Sequence, residues 1–196
     1  MNSPANGAHG GPAKGIAPDL ERRVGLVVDT LARWLALAGG LVLIALTVMS
    51  VISIVGRSLV GVSDFWPLSV MGPVTGDFEL VEAGCAFAVF AFLPWCQMRR
   101  GHVTVDVFVS ALGPRARAAL TLAGNILLAV TAVLIAWRLW LGMLDKKAYS
   151  ETTFILQMPS WWGYAAAMVG AVMFAVVSAY TIWRSLNEML GDGERA

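Results

Sequence analysis

Glu79, Glu82 and Arg138 are the residues whose placement first suggests chemistry. Each borders or interrupts a run that is otherwise free of charge. Inside a membrane a carboxylate facing a guanidinium can belong to a proton or ion relay, or it can clamp two helices together. A relay needs several titratable groups along its path, and none follows Glu82 deeper into its run. Glu82, helped by Glu79, is therefore expected to pair with Arg138 as an interhelix clamp. Asn125 and Thr131 are the polar residues of the third apolar run, and Asn125 is suited to a hydrogen bond between helices. The two histidines, His9 and His102, form no pair that could hold a haem or a metal within the bilayer. Cys85 and Cys96 lie in one run about 16 Å apart along a helix, too far to bridge. No phosphate-cradling glycine loop, nucleophile elbow or metal-ligand cluster is visible. The sequence thus predicts neither an enzyme nor a cofactor.

The elements that carry these residues follow from composition. Of the 196 residues, 58% are hydrophobic and only 14% charged, and the mean hydropathy is +0.70. A soluble domain carries about 25% charged residues, so this chain could not cover its core with a polar surface. Four apolar runs, residues 34–55, 80–98, 118–137 and 161–183, each approach the ~20 residues needed to cross the hydrocarbon layer. Lipid forces the backbone to satisfy itself, so each run is expected to be a helix despite its valines and isoleucines. Tryptophans 34, 95, 137, 140, 161, 162 and 183 mark the expected span ends as an interfacial belt.

Placing the N-terminus in the cytoplasm puts ten of the fourteen lysines and arginines on that side. Arg99, Arg100, Arg115 and Arg117 give the strongest local signal. The expected fold is an all-α integral membrane protein with four transmembrane helices and both termini inside. Residues 1–33 read as a cytoplasmic tail, disordered at its Gly-rich start and without the features of a cleaved signal peptide. Residues 34–183 form the membrane domain, and 184–196 a second cytoplasmic tail. Between the second and third spans, Val103, Val105, Val107 and Val109 alternate with polar residues and Phe108. A lone strand there would leave open edges, so a short interfacial helix or turn is expected. In the fourth span Gly163, Ala167, Ala171, Ala175 and Ala179 recur every four residues, a seam of small residues for close helix packing. The net charge of +1 indicates no nucleic-acid partner.

Several segments together resemble a known family. Gly76-Asp77-Phe78-Glu79-Leu80-Val81-Glu82 opens the second span, which ends in Phe92-Leu93-Pro94-Trp95-Cys96-Gln97. Arg100-Gly101-His102-Val103-Thr104-Val105-Asp106 and Leu112-Gly113-Pro114-Arg115 follow. Glu151-Thr152-Thr153 and Pro159-Ser160-Trp161-Trp162 precede the fourth span. In order, spacing and span number the chain is similar to the small membrane subunit, DctQ type, of the tripartite ATP-independent periplasmic (TRAP) transporters.

The resemblance implies a bacterial inner-membrane protein with two protein partners. One is a large DctM-type membrane subunit that carries the substrate and sodium sites and moves as an elevator. The other is a periplasmic binding protein that delivers an organic acid. Uptake would be sodium-driven, with this chain as a scaffold in contact with membrane lipids. Gly101, His102 and Asp106 carry over as structural inner-loop residues, and Arg99 and Arg100 as candidates for headgroup contacts. Asp64, Asp77, Lys146, Lys147 and Glu151 become candidates for docking the binding protein. A stand-alone four-helix transporter or channel, or an assembly factor outside transport, are the rival readings.

Overall fold

The computed structural model describes residues 18–59, 74–99 and 114–192. They form four helices: α1 (Pro18–Leu59), α2 (Asp77–Met98), α3 (Pro114–Ala148) and α4 (Trp161–Asp192). All four are long and apolar enough to cross a membrane. No strand is present among the described residues; there is one isolated bridge, between Thr152 and Pro159.

The helices outrun the apolar spans read from the sequence. α1 begins sixteen residues before Trp34 and carries Arg22, Arg23, Asp29 and Arg33 on helical backbone. α3 continues past Arg138 to Ala148, well beyond the apolar run of residues 118–137, so only residues 149–160 connect it to α4. Charge ends the hydrocarbon-compatible stretch of a helix without ending the helix, because peptide hydrogen bonds persist in water when the sequence carries no breaker. Proline starts both extended helices, at Pro18 and Pro114, where its missing N–H costs nothing. The segment expected to lie in the interface between the second and third spans falls in residues 100–113, outside the described residues.

The four helices form an open row in the spatial order α1–α2–α4–α3. Burial follows the row: 44% of the apolar window of α4 is buried, against 17% of α2 and 6% of each of α1 and α3. α1 packs along α2 with Gly39 against Ala88 and Ala91, and Leu46 over Gly84. Nearer the termini α1 also reaches α4, where Val28, Ala32 and Val177 pack with Trp95 and Met173, and Gly25 lies under the Tyr180 ring. Asn187 donates to the Glu21 carboxylate at the same end.

The closest approach in the row is between α2 and α4. A Cβ built on Gly170 would lie 2.5 Å from both the carbonyl carbon and oxygen of Phe90. Pro94, fully buried inside α2, explains why that carbonyl is accessible. A proline has no N–H to give the carbonyl four residues earlier and pushes it off the helix axis. Phe90 is that residue, and the glycine opposite is the side chain that lets the neighbouring backbone cover the freed oxygen. Ala167 and Ala171 are buried in the same stretch of α4, and Gly163 faces Ala83.

Candidate functional site

Two polar assemblies lie at opposite ends of the helices. At the end remote from the termini, Asp77 ties α1 to α2. Its Oδ2 accepts the Ser53 hydroxyl at 2.6 Å and the Arg57 guanidinium. Its Oδ1 accepts the Phe78 backbone N–H at 3.0 Å. Arg57 also donates to Ser53 Oγ at 3.2 Å and lies over the Phe78 ring, 5.3 Å from its centroid. Ser53 is fully buried and Asp77 is 8% exposed. Asp77 was a candidate for docking a partner protein; its carboxylate is instead consumed within the chain.

Residues 151–160 fold beside this junction as a small hairpin. Thr153 N–H donates to Met158 O at 2.8 Å and Ser160 N–H to Glu151 O at 2.9 Å. Ser150 and Gln157 take left-handed backbone, φ 50 and 54. Glu79 holds the turn from α2: one carboxylate oxygen accepts Ile155 N–H at 2.6 Å and the other Leu156 N–H at 2.9 Å. Leu156 in turn sits on Gly76, whose φ of 78 and bare Cα let the chain enter α2 beneath it. Phe154, at the turn, is 92% exposed. Lys146 and Glu151 pair with each other at 2.5 Å, and Lys147 lies over the Trp161 ring. Because the Glu79 carboxylate accepts both amides, Glu79→Ala should speed amide exchange at Ile155 and Leu156 at least about tenfold while leaving α2 protected. Hydrogen–deuterium exchange with mass spectrometry on the detergent-solubilised protein measures this directly.

At the termini end, Gln97 links three helices. Its Nε2 donates to Thr181 Oγ1 at 3.0 Å and toward Asn125 Oδ1 at 3.4 Å. Asn125 Nδ2 donates to Ser185 Oγ at 2.7 Å, and Thr181 Oγ1 to the Ser178 carbonyl at 2.8 Å. Gln97, Thr181 and Ser185 are all buried. Sequence reading singled out Asn125 and missed its partners. Distance from a helix end could not have found them: Gln97 stands one residue from the end of α2, whereas Asn125 lies eleven residues into α3 and Thr181 eleven residues from the end of α4. Thr131, by contrast, is exposed and bonds only to the Leu127 carbonyl of its own helix.

The clamp expected between Glu82 and Arg138 does not form. Ala83 lies against Gly163, while Gly142 lies against Tyr164. Glu82 is therefore level with the first turn of α4, and Arg138, on the far side of α4, lies about six residues, roughly 9 Å, further along the helix axes. Glu82 is exposed on α2 with no partner among the described residues, and Arg138 is exposed with its guanidinium 5.5 Å from the Trp137 ring centroid.

The small-residue seam is also only partly a packing line. Ala167 and Ala171 are buried, but Ala179 is exposed. A four-residue spacing advances about 40° per step around a helix of 3.6 residues per turn, so five such positions drift to the opposite side. The buried line instead runs through Gly170, Phe174, Val177, Ser178, Thr181 and Ser185. Asp64, Gly101, His102 and Asp106 lie outside the described residues.

Among the described residues no three His, Cys, Asp or Glu side chains gather as a metal site, and neither Cys85 nor Cys96 is in a disulfide. The polar groups are used to join helices. A groove along α1, lined by Leu41, Ile44, Val48, Ile52 and Val74, is apolar. No curated protein and no solved structure matches the chain. The profile of one family, described as the DctQ component of the tripartite ATP-independent periplasmic transporters, does match, over residues 68–188. That match takes in α2, the Glu79-held hairpin, α3 and nearly all of α4, and the chain is a membrane protein belonging to the DctQ family of TRAP transporter components.

Proposed function

We propose that this chain is the small membrane subunit that scaffolds the large, substrate-carrying membrane subunit of its transporter. The family match carries this reading. The open row supports it: α1 and α3 leave most of their apolar surface uncovered, and the buried side chains of Ser53, Asp77, Gln97, Thr181 and Ser185 are engaged in bonds between helices. Helices in a single row enclose no lumen, so a solute path between this chain's own helices has little support. The stand-alone channel is the weaker reading for that reason.

The termini face the cytoplasm in this proposal, on the strength of the lysine and arginine distribution. The hairpin then faces the periplasm of a bacterial inner membrane. An organic acid would arrive there on a binding protein, and a sodium gradient would drive its uptake through the large subunit. With Asp77 used internally and Lys146 paired with Glu151, Lys147 and Asp64, which lies outside the described residues, are the charged docking candidates that remain.

Two measurements test the reading. A tagged chain should co-elute with the co-expressed large subunit. Sodium-dependent uptake in vesicles bearing the large subunit and binding protein should fall at least about tenfold when this chain is omitted. Elution of the chain alone, with uptake unaltered by its absence, would refute the scaffold role. Solute flux through liposomes containing this chain alone would favour the channel.

A further inference from the structure

Arg138 is a charged residue within a span, and it has no counter-charge among the described residues. It stands in α3 between Trp137 and Trp140, inside a stretch from residue 119 to 144 that is otherwise uncharged. The register with α4 sets it level with about residue 168 of that helix, some 10 Å along from Trp161. It is exposed at that depth, with no salt bridge among the described residues and its guanidinium over the Trp137 ring. Charged groups at such positions face protein and find a counter-charge, because hydrocarbon solvates them poorly.

We propose that Arg138 anchors this chain to the large membrane subunit by pairing with a carboxylate that the subunit presents at the same depth. The proposal rests on the scaffold reading above and specifies where the two subunits meet. Three observations select this occupant. A second copy of this chain is a poor one. Copies inserted in the same orientation share their depths, and the nearest described carboxylates are Glu82, roughly 9 Å away along the helix axes, and Asp145, two turns further along α3. A lipid phosphate is also poorly placed. In a helix the Cα–Cβ bond leans toward the N-terminus, which for α3 is the Pro114 end, away from the nearer membrane face. Snorkelling to that face runs against this lean. Finally, the face around Arg138 is uncovered apolar surface, with Val130, Leu134, Trp137 and Trp140 all about half exposed or more. Surface of that kind suits a neighbouring helix, and packing there would remove the guanidinium from lipid.

The test is retention of the co-expressed large subunit by the tagged full-length chain carrying Arg138→Lys, Arg138→Leu or Arg138→Glu. Arg138→Leu removes a charge that opposes insertion, so the variant chain should enter the membrane and keep its own thermal midpoint. Retention should survive Arg138→Lys and fall at least about tenfold with Arg138→Leu and further with Arg138→Glu. A lysine substitution at one acidic position in the spans of the large subunit should restore retention of Arg138→Glu. Wild-type retention by Arg138→Leu would overturn the anchor while leaving the scaffold role intact. Failure of the wild-type chain itself to retain the large subunit would overturn both. The lipid alternative is read in nanodiscs of phosphatidylcholine with or without phosphatidylglycerol: a midpoint of the isolated chain that rises with phosphatidylglycerol in the wild type but not in Arg138→Leu assigns the arginine to lipid and overturns the proposal.

Discussion

Replacing Gly170 with leucine should cost the protein more stability than any other single change in the row. The atoms a side chain would meet there belong to the Phe90 backbone, 2.5 Å from the ideal Cβ position. A backbone cannot rotate aside as a leucine or tyrosine tip can, so the two helices must separate. Even Gly170→Ala should cost about 1–3 kcal/mol through overpacking. The leucine should exceed that and lower the thermal midpoint by about 5–10 °C. Two glycines provide the control. A Cβ on Gly40 or Gly124 meets nothing within 4 Å, so alanine at either should be neutral or slightly stabilising through helix propensity. Intrinsic fluorescence of the detergent-solubilised protein through a thermal ramp separates these outcomes. A Gly170→Leu midpoint equal to that of Gly40→Ala would mean that α2 and α4 do not meet as described.

What could be read in advance divides along a physical line. The number of spans and their helical nature follow from the solvent. A chain with so few charges has only one way to satisfy its peptide groups in lipid, and hydropathy alone reports it. The order of helices in the row and their relative register do not follow from hydropathy, because they depend on which small residues meet which backbone. Pro94 and Gly170 each looked unremarkable, and their meaning lies in being opposite one another. Glu82 and Arg138 were paired on the assumption that the ends of neighbouring apolar runs share a depth. The apolar part of α3 continues beyond Arg138, and that assumption failed by about two helical turns. The Gln97 assembly shows the same limit. Gln97 all but closes its helix while Asn125 and Thr181 each lie eleven residues inside theirs, so matching helix ends could not have joined them. The alanine seam failed for a simpler reason, since four is not the period of a helix. Composition could nominate residues for each contact; only register could assign partners.

Asp77→Ala should release the last turns of α1 from α2, and it is the second large effect expected. The substitution strands two donors at once. The Ser53 hydroxyl is fully buried, and the Arg57 guanidinium loses the carboxylate that neutralises it beside an apolar helix surface. Removing either donor is gentler, because Asp77 keeps the other and Arg57, 45% exposed, can be hydrated. Amide exchange over residues 56–59 should therefore accelerate at least about tenfold in Asp77→Ala, and less in Ser53→Ala or Arg57→Ala. Asp77→Asn preserves shape and an acceptor for Ser53 but not the charge, so it should fall between. The exchanged pair, Arg57→Asp with Asp77→Arg, should recover part of the loss if ion pairing rather than packing is what joins the helices. The same variants separate this structural role from a docking role for Asp77. A docking carboxylate would lower uptake in Asp77→Asn without loosening α1. A structural one would change exchange first, and uptake only as far as the junction opens.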